Sequence, residues 1–244
     1  MARFVLVHGA FAGGWIWGPL AEKLEAAGHE VEAPDLPGMG DDATPVEDVT
    51  LAAYTDRVLE ILDASSEPSI LVANSMGGMV VSQAAALRPE KVRRIVYSAA
   101  FLPGDGKSLV ELTELPEGEG DMVQATVEVS GEPPVGLLPE STIREGNLGC
   151  TDEVIEWAIE KTGPQPVVPF TEPVALGEAF AGLPKTYVIC TRDRFIPPPL
   201  QRRMAKEASV TDVVELDTDH HPQLSRTDEL AAALDQRARE EVTA

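Results

Sequence analysis

The stretch from Ser69 to Leu87 constrains this chain most. An apolar, β-branched run from Ser69 to Val72 reads as a strand, and Met79 to Leu87 reads as a helix. Ser75 stands at the turn between them, with the small residues Ala73 and Gly77 two positions to either side. A strand that turns sharply into a helix crowds its own backbone, so those flanking positions must be small. The usual pattern for such a turn is Gly-x-Ser-x-Gly, and Ala73 replaces its first glycine. The geometry predicts that the Ser75 hydroxyl is lifted above the sheet. It also sets the Met76 N–H at a helix N-terminus, where it can bind a developing oxyanion. Taken alone, the string also suits a plain strand-to-helix turn with an N-capping serine.

Bulk properties narrow the setting. The 244 residues suit one α/β domain with an insertion, or at most two small domains, and 43% hydrophobic content is enough for a real core. The net charge of -22, from 41 acidic and 19 basic residues, argues against nucleic acid and anionic membranes as partners. The apolar run Phe4 to Val7 is too short for a signal peptide, and no window approaches a membrane span. Cys150 and Cys190 form neither a disulfide framework nor a metal pattern. The expectation is a cytoplasmic protein with no metal and a small-molecule partner; a homodimer is compatible with the sequence but not required by it.

Arg3 to His8 reads as a buried strand emptying into His8-Gly9-Ala10-Phe11-Ala12-Gly13-Gly14-Trp15. Those glycines do not fit G-x-G-x-x-G, and no Gly-Lys-Ser/Thr follows, so a phosphate loop is the weaker reading. The better one is a loop that brings the Ala10 N–H towards an oxyanion position. His8, beside the turn, is expected to brace that loop, and Trp15 and Trp17 to pack in the core or pocket wall. Pro19 to Ala27 and Leu51 to Ala64 are predicted helices, His29 to Ala33 a strand with His29 exposed at its start, and Val92 to Ser98 a further strand. This alternation predicts a mostly parallel, doubly wound sheet. From Gly104 to about Phe170 the chain is rich in Gly, Pro and Glu, with an acidic run from Glu111 to Asp121. Thr126 to Val129 is a candidate short strand there, and Thr151 to Lys161 a helix capped by Thr151. Residues 104–170 therefore read as an inserted cap, and residues 1–103 with 171–244 as the core.

Thr186 to Thr191 and Val210 to Leu216 are the remaining predicted strands, followed respectively by Arg192-Asp193-Arg194 and by Asp217-Thr218-Asp219-His220-His221. Pro199 to Ala208 and Thr227 to Arg239 complete the helices. Asp193 could be a loop carboxylate paired with its flanking arginines. However, Ser75, Asp193 and His220 or His221 each follow a different strand, in the chain order nucleophile, acid, histidine of an α/β-hydrolase triad.

The chain resembles the plant-type methylesterase and hydroxynitrile lyase branch of the α/β-hydrolase superfamily over nearly its whole length. The resemblance rests on Val5 to Ala10 with Gly14-Trp15, Gly28 to Val31, Ser75 to Met79, Cys190 to Asp193 with Ile196-Pro197, and Asp219-His220 with Leu224. It implies an α/β-hydrolase fold with Ser75 as nucleophile, Asp193 as acid, His220 as general base, and the Ala10 and Met76 N–H groups as oxyanion donors. A histidine directly after an aspartate selects His220 over His221. The chain departs from the family at Ala73 and Asn74, where Gly-His or Gly-Glu is common, and in most of the cap.

What the resemblance implies is cofactor-free hydrolysis of a small carboxylic ester, a methyl ester among the candidates, through an acyl-enzyme. Gly9, Phe11, Trp15 and His221 are the candidate substrate-binding residues, and Phe11, Trp15, Met76 and Met79 suggest an apolar acyl pocket. The alternatives are cyanohydrin cleavage on the same triad, or a catalytically silent small-molecule-binding protein. The lyases carry a lysine after the triad histidine and a threonine in the oxyanion loop; here those positions are His221 and Gly9.

Overall fold

Alternating side chains along four of the core strands decide the architecture. In the computed structural model, which describes residues 1–240, strands β1 (Arg3–Val7), β2 (Glu30–Glu32), β3 (Ser69–Ser75) and β4 (Val92–Ala100) alternate with helices α1 (Gly18–Ala26), α2 (Leu51–Asp63) and α3 (Gly77–Leu87). Three short strands follow, β5 (Glu128–Ser130), β6 (Val135–Leu137) and β7 (Gln165–Pro166), before β8 (Lys185–Cys190) and β9 (Asp212–Leu216). The main sheet has the order β2-β1-β3-β4-β8-β9, and every neighbouring pair is parallel. Val5, Val7, Leu71, Ala73, Ile95, Tyr97, Tyr187 and Ile189 pack on one face with α2 and α3. Phe4, Leu6, Ile70, Val72, Val96 and Val188 pack on the other with α1 and the closing helix Thr227–Arg239. Both faces are covered, as an all-parallel sheet requires, and the predicted doubly wound α/β architecture is what the chain forms.

The start of α3 is wedged between the ends of β1 and β4. A Cβ on Gly77 would lie 2.6 Å from the Val7 carbonyl oxygen, and one on Gly78 would lie 2.0 Å from that of Phe101. Only glycine permits this approach. Ala73, two residues before Ser75, is fully buried in the same cluster with its methyl accommodated, in register with Val7 and Tyr97.

Between β4 and β8 the chain makes short elements. The predicted helix is found at Asp152–Lys161, with the Thr151 side chain accepting from the Val154 amide at 3.4 Å. The strand expected at Thr126–Val129 lies later, at Glu128–Ser130. Thr126 instead ends the helix Met122–Thr126, where its hydroxyl donates to the Met122 carbonyl. The helices Leu109–Thr113 and Glu140–Glu145 and the antiparallel sheet β5-β6-β7 were not predicted. His29, expected to be exposed, is buried edge-on against Phe4, accepts from the Ala2 amide and pairs with Asp235 at 3.0 Å. Sequence periodicity could not show that partner, which lies 206 residues away.

Candidate active site

Ser75 sits where β3 meets α3 with φ at +54°, a left-handed backbone conformation that a non-glycine residue adopts only when its surroundings impose it. The wedge of Gly77 and Gly78 imposes it here. The turn opens onto a cavity of about 260 Å³. Gly9, Ala10, Phe11 and Trp15 line it from the loop after β1, Ser75 and Met76 from the turn, and His220 and His221 from the loop after β9. Side chains of residues 104–170, among them Leu109, Val127, Ile143 and Phe170, complete the wall. Met79, expected in this pocket, does not line it and is fully buried instead in the core cluster that α2 and α3 form with the sheet.

Asp193 lies behind His220. Its Oδ2 accepts from His220 Nδ1 at 2.8 Å and from Gln201 Nε2 at 2.9 Å. Its Oδ1 accepts from the Phe195 and Ile196 amides at 2.8 and 3.0 Å. The flanking arginines do not hold it: Arg192 pairs with Asp217 and Arg194 with Glu145. With its Nδ1 hydrogen committed to a carboxylate, the His220 ring has Nε2 left as a base. No hydrogen bond joins Ser75 to His220 in this structure, although both line the same cavity. Such bonds often tighten only when substrate is bound.

Asn74 ties the nucleophile strand to the histidine loop. Its Nδ2 donates to the Ser98 carbonyl at 2.9 Å and to the His220 carbonyl at 3.1 Å. The departure from the family pattern at this position thus puts a buried bracket beneath the site. His8 braces the loop after β1 as expected, with Nδ1 against the Gly9 carbonyl at 2.8 Å and Nε2 accepting from the Leu36 amide at 3.0 Å. Among the described residues, the Ala10 and Met76 amides have no protein acceptor. The neighbouring Phe11 amide donates to Gln165 Oε1 at 3.1 Å, and Gln165 Nε2 donates to the Tyr54 hydroxyl at 3.0 Å.

His221 is bonded through Nδ1 to Asn147 Oδ1 at 2.9 Å, and Asn147 Nδ2 donates to the Ile143 carbonyl. That second bond identifies Asn147 Oδ1 as an acceptor, so His221 Nδ1 carries the hydrogen. Burial, and then the neighbouring His220, hold the His221 pKa well below the usual imidazole value. Burial also pushes the Cys150 thiol up to about 12 and that of Cys190 higher than usual, so neither is a ready nucleophile. Among the described residues, no three His, Cys, Asp or Glu side chains converge as a metal site would need.

Gln201, Gln165, Asn147 and Asp121 escaped the sequence reading. Gln201 had a signal, since it interrupts the buried stripe Leu200, Met204, Ala205 of the helix Pro198–Glu207. Asp121 caps the helix Met122–Thr126, which is too short to show an apolar period, while Gln165 and Asn147 contact distant segments, which leave no local pattern.

The family model described as "Alpha/beta hydrolase family" matches residues 4–233. Methylesterase 7 of Arabidopsis thaliana is 32% identical over 248 residues, covering 95% of this chain and 94% of that protein. The α-hydroxynitrile lyase of Arabidopsis thaliana is 31% identical over 245 residues and 95% of both chains. The crystal structure of polyneuridine aldehyde esterase superposes with a TM-score of 0.86 at 26% identity, covering 97% of this chain and 99% of that one.

Proposed function

This chain belongs to the α/β-hydrolase family, in the branch that holds methylesterases and hydroxynitrile lyases, and from that premise we propose that it hydrolyses small carboxylic esters through an acyl-enzyme on Ser75. The observation that carries this reading is the buried Asp193–His220 pair, whose imidazole lines the same apolar cavity as the strained Ser75 turn.

In this mechanism Ser75 Oγ attacks the ester carbonyl carbon while its proton passes to His220 Nε2. The Ala10 and Met76 amides receive the oxyanion; one such donor is typically worth about 3 kcal/mol in the transition state. His220 returns the proton to the departing alcohol. Water, deprotonated by the same nitrogen, then attacks the acyl-enzyme, and the acid leaves as Ser75 regains its proton. Asp193, fixed by Gln201 and two amides, holds the imidazole in the tautomer that leaves Nε2 free. No step calls on a cofactor. Among the described residues no helix is long and apolar enough to cross a membrane. We place the protein in the cytoplasm, consistent with its two unpaired cysteines.

Two features favour hydrolysis over cyanohydrin cleavage. Departing cyanide needs a cationic neighbour, and the position after His220 is a half-buried imidazole whose pKa is held well below the usual value, so it is neutral. A side chain at position 9 would bind the cyanohydrin hydroxyl, but a Cβ there would lie 2.7 Å from Ser75 Cβ, so no side chain fits without moving the nucleophile. The expected result is Ser75-dependent hydrolysis of small methyl and nitrophenyl esters, lost in Ser75→Ala, with cyanide release from mandelonitrile at the buffer rate. Ser75-dependent cyanide release faster than ester turnover would overturn the reading.

A further inference from the structure

The cavity over Ser75 is mainly apolar, and its titratable lining consists of Glu114, Asp121, His220 and His221, with no lysine or arginine. Asp121 is only 8% exposed. Its Oδ1 accepts from the Val123 and Gln124 amides at 2.7 and 3.1 Å, capping the helix Met122–Thr126. Its Oδ2 has no partner among the described residues and is not sealed off from open space, on a residue that lines the cavity. The following amide, of Met122, donates to the Arg194 carbonyl at 2.9 Å, which fastens this carboxylate to the loop that carries Asp193.

We infer that Asp121 selects esters bearing a hydrogen-bond donor, a hydroxyl or a protonated amine, on the part of the substrate that reaches the capping segment, and rejects esters bearing a second carboxylate. The inference rests on the ester-hydrolase reading of the same cavity. A wholly apolar substrate displaces water from Asp121 Oδ2 and leaves a buried acceptor unpaired, which is unfavourable. A donor satisfies that oxygen, and a cationic donor does so with a charge-assisted bond. A second carboxylate meets a like charge, with no lysine or arginine in the wall to pair with it and a His221 that is held neutral. Burial, with a smaller contribution from Asp193, pushes the Asp121 acid up to about 6, against the pull of its two amides and of His220. It is therefore mostly an anion above neutral pH.

Four methyl benzoates of similar shape test this, with aminomethyl, hydroxymethyl, methyl or carboxylate at the para position. They are assayed at a pH of about 7.5, where Asp121 is ionised and the amine protonated. Asp121→Asn keeps a carbonyl oxygen for the helix cap and removes the charge; Asp121→Ser, which also caps, guards against a folding artefact. The expected result is that both variants lose about tenfold or more in kcat/KM for the aminomethyl ester relative to the methyl ester, while the carboxylate ester gains. The hydroxymethyl ester should hold its rank in Asp121→Asn, because its hydroxyl can accept from the Asn Nδ2 that takes the place of Oδ2 while the amide oxygen stays with the cap. If the aminomethyl ester is unaffected and only the hydroxymethyl ester responds, the cationic donor is excluded as the preferred class and the inference fails in that part. Calorimetric binding of the same esters to Ser75→Ala, with and without Asp121→Asn, separates the two readings. Charge-dependent binding without turnover would overturn ester hydrolysis and leave the Asp121 inference standing. Unchanged ratios in both assays would overturn the inference whatever the turnover.

Discussion

His8 accepts a hydrogen bond from the Leu36 amide through Nε2, so protonating that nitrogen breaks the bond. Burial lowers its pKa from the ordinary 6.5, against the smaller pull of the Gly9 carbonyl and Asp35. The folded chain therefore resists a proton that the unfolded chain accepts. Between the lowered folded value and 6.5 the unfolded state binds more protons, so stability falls as pH drops through that window and is fully present above it. His221 acts in the same direction; Asp121, raised to about 6 from 3.8, acts in the opposite one below pH 6. His8→Asn keeps an acceptor for Leu36 and removes the titration. Urea unfolding at several pH values below neutral should give a shallower loss of stability for the variant, by up to about 1.4 kcal/mol per pH unit, the value for one proton. Parallel curves would mean that His8 titrates alike in both states.

The oxyanion loop is held by its neighbours more than by itself. Phe11 has φ at +63°, and its backbone is pinned on both sides: its amide donates to Gln165, and its carbonyl accepts from the Gly163 amide at 3.0 Å. Gln165 in turn holds Tyr54 on α2. Strand β7, two residues long, thus fixes the amide next to Ala10. Gln165→Leu should lower kcat by about tenfold to a hundredfold with KM nearly unchanged, because the loop supplies an interaction made mainly in the transition state. Thermal unfolding reads the accompanying structural cost; a change confined to Tm, with kcat intact, would leave Gln165 a structural residue only. None of this was legible beforehand. The strands β1, β3, β4 and β8 announce themselves as continuous apolar runs because both their faces are buried, and the Ser75 turn does so through the small residues that crowding requires. The helices of residues 104–171 other than Asp152–Lys161 run from three to six residues, too short to repeat an apolar face. Their stability comes from tertiary packing, such as Leu109 and Leu112 of the helix Leu109–Thr113 buried in the main core cluster, which a periodicity argument cannot see.

At the scale of the whole molecule, a net charge of -22 surrounds a cavity that carries its own carboxylate. The two act over different distances. The overall field concentrates cations and repels anions around the protein, and salt screens it: the Debye length shrinks from about 30 Å at 0.01 M to about 3 Å at 1 M. Asp121, mostly shielded from solvent, faces its ligand at contact distance and is screened much less. The preference for a cationic ester should therefore have two parts. Raising salt over that range should lower kcat/KM for the aminomethyl ester severalfold, leave the methyl ester unchanged and raise the carboxylate ester. Asp121→Asn removes only one charge from the total, so its salt slope should match that of the wild type while its preference at high salt disappears. A salt slope that vanished together with Asp121 would locate the whole effect in the cavity and leave the surface charge with no part in substrate choice. A preference abolished by salt in the wild type would instead assign it to the surface and remove the need for a contact with Asp121.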